Sequence, residues 1–170
     1  FRSYYNMKKN ERGNLMTGTT STNYNLLSKQ LQSLIEDETN LIAILSNTSA
    51  LLNDNLDQIN WVGFYLIDNQ ELILGPFQGH PACVHIAIGK GVCGTAVAQN
   101  QTQRIADVHQ FPGHIACDAQ SKSEIVIPLH QNNEIIGVLD IDSPINSRFT
   151  EEDQRQLENL VSIIEQQLSL

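Results

Sequence analysis

The stretch EIVIPLHQNNEIIGVLDID, residues 124–142, decides how this chain folds. Two apolar, β-branched runs, Glu124 to Leu129 and Ile135 to Asp142, flank the polar turn Gln131-Asn132-Asn133-Glu134, the pattern of a β-hairpin. Pro144 cannot donate to a sheet ladder and stops the second strand. Upstream, the apolar and aromatic run Trp61-Val62-Gly63-Phe64-Tyr65-Leu66-Ile67 is followed by Asp68-Asn69-Gln70-Glu71 and Leu72-Ile73-Leu74, a second hairpin. A third strand is expected over Ala82 to Ile88. The glycines of Gly89-Lys90-Gly91-Val92-Cys93-Gly94 predict a loop leading to a short helix over Thr95 to Gln99. Between Tyr24 and about Asn53, Leu27, Leu31, Leu34, Leu41, Leu45 and Leu52 recur at helical spacing and predict an amphipathic helix in two pieces. At the other end, Thr150-Glu151-Glu152-Asp153 caps a terminal helix carrying Leu157, Leu160, Val161, Ile164 and Leu168. Helices at both ends around two hairpins define an α+β domain with a mainly antiparallel central sheet.

The chain has 170 residues, a length that suits one domain. Residues 1–15 are polar and aperiodic, and precede Met16; they read as an irregular or disordered extension, from upstream translation or cloning, ahead of a single domain over 16–170. Removing that segment's four basic residues and one acid from the totals of 10 and 19 leaves 6 basic and 18 acidic residues, a formal net charge of −12. Such a field repels phosphate backbones and anionic lipid, so nucleic acid and membrane surfaces are poor partners, and a cationic or zwitterionic small ligand suits it better. No apolar run is long enough to span a bilayer and no signal peptide is visible, so a cytoplasmic location is expected.

Three cysteines, Cys83, Cys93 and Cys117, are too few for a disulfide framework at this size. Cys93 stands just before the expected helix and beside Lys90, where backbone N–H groups favour thiolate; position alone nominates it as the reactive sulfur. Cys117 lies beside His114 and Asp118 in an aperiodic loop from Asp107 to Ser121, and long loops in compact domains are often functional. Cys83 belongs on or near the third strand, with His85 on the same face by the period of two. A rival reading gathers Cys83, His85, Cys93, His109, His114 and Cys117 as metal ligands. The paired spacings of zinc sites are absent, however, so no metal is expected. Along the second hairpin, Asp140 and Asp142 share a face, about 6 to 7 Å apart along the strand. Glu124 and Asp107 are placed to join them, while Trp61 and Tyr65 share a face of the first strand and could wall an apolar pocket.

Together these residues resemble the free methionine-(R)-sulfoxide reductases, a family of stand-alone GAF domains. The resemblance runs over nearly all of Tyr24 to Leu170. It rests on Asn60-Trp61-Val62-Gly63-Phe64-Tyr65, Leu74-Gly75-Pro76-Phe77-Gln78-Gly79, Ile88-Gly89-Lys90-Gly91-Val92-Cys93-Gly94, the loop from Asp107-Val108-His109 to His114-Ile115-Ala116-Cys117-Asp118, and Gly137-Val138-Leu139-Asp140-Ile141-Asp142-Ser143. It implies reduction of the free amino-acid sulfoxide by cysteine chemistry with thioredoxin as external reductant and no bound cofactor. In that family the cysteine at the Cys117 position is the nucleophile, Cys83 resolves, and the role of Cys93 is less settled. Substrate-binding positions fall on Trp61, Tyr65, Asp107, Glu124, Asp140 and Asp142, with Glu124 or an aspartate as the acid. Two other classes compete: a GAF small-ligand sensor without catalysis, and an interaction module forming a homodimer through its N-terminal helix.

Overall fold

The computed structural model describes Tyr4, residues 21–114 and residues 117–170. Apart from Tyr4, the expected extension lies outside the described residues. Helix α1 (Tyr24–Ile35) begins where the Asn23 side chain accepts from the N–H of Leu26, and α2 (Leu41–Asn55) where Asn40 does the same for Ala43. Both are Asn N-caps, which satisfy amides that the first helical turn leaves without partners. Strands β1 (Trp61–Asp68) and β2 (Glu71–Gly79) form the first hairpin. After β3 (His85–Ala87), helix α3 (Gly91–Gln99) leads to the short strand β4 (Gln103–Ile105). The second hairpin is β5 (Ser123–Gln131) with β6 (Glu134–Ser143). Helix α4 (Glu151–Leu168) closes the domain behind a capping box in which Thr150 and Asp153 satisfy each other's backbone N–H groups.

All six strands join one antiparallel sheet in the order β3-β2-β1-β6-β5-β4. The period of two divides its residues cleanly. Val62, Phe64, Ile125, Ile127, Leu139 and Ile141 face α1, α2 and α4 and form the main core with Leu31, Leu45, Leu157 and Leu160. Trp61, Tyr65, Val126 and Val138 face the other way and pack with α3 and Ile86 in a second, smaller core. The main core is large enough that one truncation costs much: Leu160→Ala, at 1 % exposure, should lose about 2–5 kcal/mol, read as a lower urea midpoint.

The expected hairpins, helices and α+β architecture stand as read, with three local differences. The third strand is confined to His85–Ala87, the stretch that pairs with Glu71–Ile73 at the sheet edge. Cys83 is therefore outside the strand and does not share a face with His85, which is exposed and hydrogen-bonded to Glu71 at 3.0 Å. The short helix starts at Gly91 rather than Thr95, so Cys93 lies inside its first turn. Strand β4 is an addition of three residues at the sheet edge, too short to show a period in sequence.

Gly63 illustrates how closely the second face is packed. A Cβ built there would lie 2.3 Å from the Cβ of Phe77 and 2.8 Å from the Trp61 ring. Gly63→Ala should accordingly destabilise by about 1–3 kcal/mol through overpacking and displace Trp61, visible together as a lower urea midpoint and altered tryptophan fluorescence.

Candidate active site

Strand register assembles the site. Glu124 on β5 lies opposite Asp142 on β6, which lies opposite Trp61 on β1; one row further, Val126, Asp140 and Gly63 are aligned. All three acids therefore project from the second face. Asp140 and Glu124 are each 6 % exposed, and Asp142 is partly buried. Above this acidic floor a pocket is walled by Trp61 and Tyr65 and bounded by the first turn of α3, by Ala82 and by the segment carrying His114 and Cys117.

The aromatic walls are fixed at their polar ends. Trp61 donates its indole N–H to the carbonyl of His80 at 3.1 Å, and Tyr65 donates its hydroxyl to the carbonyl of Cys83 at 2.9 Å. Trp61 is stacked between neighbours, with Phe77 at 5.2 Å and Tyr65 at 5.8 Å between ring centroids. Burial, reinforced by the nearby acids, pushes the Tyr65 hydroxyl pKa upward, so it stays a donor.

Cys83 and Cys117 are joined by a disulfide, with Cα atoms 5.4 Å apart. The bond closes a loop of sequence separation 34 that contains α3 and β4. In the chain-entropy picture such a loop stabilises by about 4 kcal/mol. Reduction should then lower the melting temperature by on the order of 10 °C, checked by thermal unfolding with and without a phosphine reductant. The same bond takes two sulfurs away from the six-residue metal set weighed above, and His85 turns outward to Glu71, so that set is not assembled.

Cys93 remains as the free thiol, 4 % exposed, donating to Glu124 Oε1 at 4.0 Å. Its helix-start position would favour thiolate, but the surroundings reverse that expectation. Burial first, then the charges of Asp140, Glu124 and Asp142, push its pKa well above the usual thiol range. Burial likewise raises Glu124, with Asp140 and Asp142 adding to the shift. Asp140 is raised by burial to about 6, held from going higher by interaction with the Cys93 and Glu124 side chains. Asp142 is raised too, by burial and then by Asp140. Within the cluster, Glu124 is thus pushed toward its protonated form beside Asp140. Oδ1 of Asp140 is buried without a hydrogen-bond partner among the described residues.

Trp61, Tyr65, Cys93, Cys117, Glu124, Asp140 and Asp142 are brought to one pocket, with Cys83 bonded at its edge. Asp107 is not among the residues lining it: its carboxylate caps the 3₁₀ turn Val108–Gln110, accepting from the His109 N–H at 3.0 Å and the Gln110 side chain at 3.2 Å. Sequence reading passed over Asn60 and Ser121. Asn60 donates from Nδ2 to Asp118 Oδ2 at 2.9 Å and to Ser121 Oγ at 3.1 Å, and so ties the residue beside Cys117 to the strand bearing Trp61. Ser121 also lies near enough to Asp142 to temper the rise of that carboxyl's pKa. Only the position of Asn60 next to Trp61 hinted at such a tie.

The pattern of the GAF domain matches residues 40–168. The free methionine-R-sulfoxide reductase of Escherichia coli is 58% identical over 143 residues, covering 84% of this chain and 87% of that protein. Among solved structures, the reduced form of fRMsr of Staphylococcus aureus superposes with a TM-score of 0.87 at 70% identity, covering 91% of this chain and all of that one. The free methionine-R-sulfoxide reductase of Neisseria meningitidis, in complex with its substrate, does so with a TM-score of 0.84 at 42% identity over 90% of this chain and 94% of that one. Sheet, flanking helices and pocket therefore define a GAF domain. Within that class the chain belongs to the free methionine-R-sulfoxide reductases, which are oxidoreductases.

Proposed function

We propose that this chain reduces free L-methionine (R)-sulfoxide to L-methionine through a sulfenic acid on Cys117, resolved by Cys83 as an intramolecular disulfide and recycled by thioredoxin in the cytoplasm. The observation that carries the proposal is the juxtaposition of a bonded Cys83–Cys117 pair with a buried carboxyl cluster at one pocket. The relatives' names supply the substrate and its stereochemistry.

The Cys117 thiolate attacks the sulfoxide sulfur while an acid protonates the oxygen. The hydroxyl then passes from the substrate sulfur to the Cys117 sulfur as the new sulfur–sulfur bond and the old sulfur–oxygen bond break, leaving methionine as the thioether and Cys117 as sulfenic acid. Cys83 condenses with the sulfenic acid, forming the disulfide and releasing water. A dithiol reductant of the thioredoxin class exchanges with the disulfide and regenerates both thiols. Glu124, whose pKa is raised by burial and by its acidic neighbours, holds the proton that the departing oxygen needs. Asp140 and Asp142 face the α-ammonium of the amino acid, and the orphaned Oδ1 of Asp140 gains the donor it lacks. Trp61 and Tyr65 enclose the apolar side chain. A methionine sulfoxide within a peptide has no ammonium to offer, so it leaves the buried charge uncompensated and is rejected.

The test is peptide mapping by mass spectrometry after one turnover with free methionine sulfoxide under otherwise reducing-agent-free conditions. Cys83 linked to Cys117 with Cys93 free is the expected product. A Cys93 to Cys117 link with Cys83 free overturns the assignment of the resolving sulfur.

A further inference from the structure

One thiol on the pocket floor is unused by the proposed chemistry. Sγ of Cys93, a carboxylate oxygen of Glu124 and one of Asp140 lie within 4.8 Å of one another, and all three residues are buried. Independently, Asp140, more than nine-tenths buried and lining the pocket, carries an oxygen with no hydrogen-bond partner among the described residues. An unpaired buried carboxylate oxygen is costly, and a cation relieves that cost. The substrate's ammonium is one such cation; a metal ion is another.

We infer that Cys93, Glu124 and Asp140 form an inhibitory site for a soft divalent cation of the zinc class, which binds the pocket floor in place of the substrate's ammonium. The donor set decides the class. One thiolate with two carboxylates suits zinc, whose tetrahedral bonds of roughly 2.0–2.3 Å put neighbouring donors about 3.5 Å apart. Cys93 Sγ and Glu124 Oε1 are already at 4.0 Å, so a contraction of about 1 Å across the trio completes three sides of the polyhedron. Magnesium and calcium, which take oxygen donors in larger coordination shells, are excluded by the sulfur and by the small number of ligands. As the ion enters, the Cys93 thiol and the protonated carboxyl release their protons to solvent. Binding stands on the geometry alone; that it blocks turnover rests on the reductase reading given above.

The oxidised protein makes the test specific, because Cys83 and Cys117 are then bonded and Cys93 is the remaining thiol. Cobalt(II) serves as a spectroscopic substitute for zinc. One cobalt per oxidised chain should bind with a sulfur-to-metal charge-transfer band that zinc bleaches and magnesium does not. The band should vanish in Cys93→Ser. Affinity should fall at least about tenfold in Glu124→Gln and in Asp140→Asn, since even outer partners of a metal carry that much. These two near-isosteric variants keep the test open if Cys93→Ser does not fold. No band in the oxidised wild type, a band that survives Cys93→Ser, or undiminished affinity in both carboxylate variants overturns the site. In the reduced enzyme, zinc inhibition of methionine release should weaken at least about tenfold in Cys93→Ser relative to that variant's own rate, and unchanged inhibition overturns the blocking role. Absence of reductase activity would leave the cobalt result standing, so the two readings fail separately.

Discussion

Cys83→Ser should release one methionine per chain and then stop, whereas Cys117→Ser should release none. The contrast follows from the order of the two sulfur steps. Loss of the nucleophile removes the only group that can take the sulfoxide oxygen, a deficit of at least about 10⁴-fold in the rate of the first turnover. Loss of the resolving thiol leaves that first step intact and strands Cys117 as sulfenic acid, which a cyclic 1,3-diketone should trap in stoichiometric yield. Multiple turnovers should then require a small thiol in solution that reduces the sulfenic acid directly. Rapid-quench measurement of methionine per chain, with and without thioredoxin, distinguishes the two variants in one experiment. Undiminished release by Cys117→Ser would sink the nucleophile assignment. A full thioredoxin-supported rate in Cys83→Ser would sink the resolving one. Cys93 should rescue neither variant, because burial and three nearby acids disfavour its thiolate.

Much of this site was legible in the sequence because strands obey a period of two. Once residues 124–142 are read as a hairpin, Glu124, Asp140 and Asp142 fall on one face and Ile125, Leu139 and Ile141 on the other, as the two cores confirm. Trp61 and Tyr65 follow from the same rule. The chemistry of Cys93 was not legible, because its helix-start sequence is local while the carboxylates that control it come from β5 and β6. A local field favouring thiolate loses to desolvation plus three nearby acids. Cys83, read as on or near a strand, lies just before β3 and does not share the face of His85, since alternation alone does not reveal where an edge strand leaves its partner. Asp107, at the head of the cysteine loop, caps a turn that is too short to be read from periodicity. The tie from Asn60 to Asp118 and Ser121 joins segments remote in sequence, and no spacing rule reaches that far.

The carboxylates yield a second large effect, with opposite signs on activity and stability. Asp140→Asn should raise KM for the free amino acid by on the order of a hundredfold or more, as expected when one partner of a buried ion pair is removed. It should also narrow the preference for the free amino acid over its N-acetyl derivative. Glu124→Gln should instead act on kcat, lowering it about 10²- to 10⁴-fold through loss of the proton donor. Stability moves the other way. Asp140 is raised in the folded chain to about 6 from an unfolded value near 4. The folded state therefore holds the proton more tightly than the unfolded one, and stability falls as pH rises through that window. Below pH about 4 both states are protonated and the penalty is absent; above about 6 it is fully present, amounting to about 3 kcal/mol in the limit of an isolated group. Asp140→Asn should remove that contribution, so its urea midpoint should change less than the wild type's between pH 4.5 and pH 7 and exceed it at pH 7. A variant that loses both activity and stability at neutral pH would mean that Asp140 serves the fold. A gain in stability with a higher KM identifies a group kept charged at the fold's expense because the substrate's ammonium needs it.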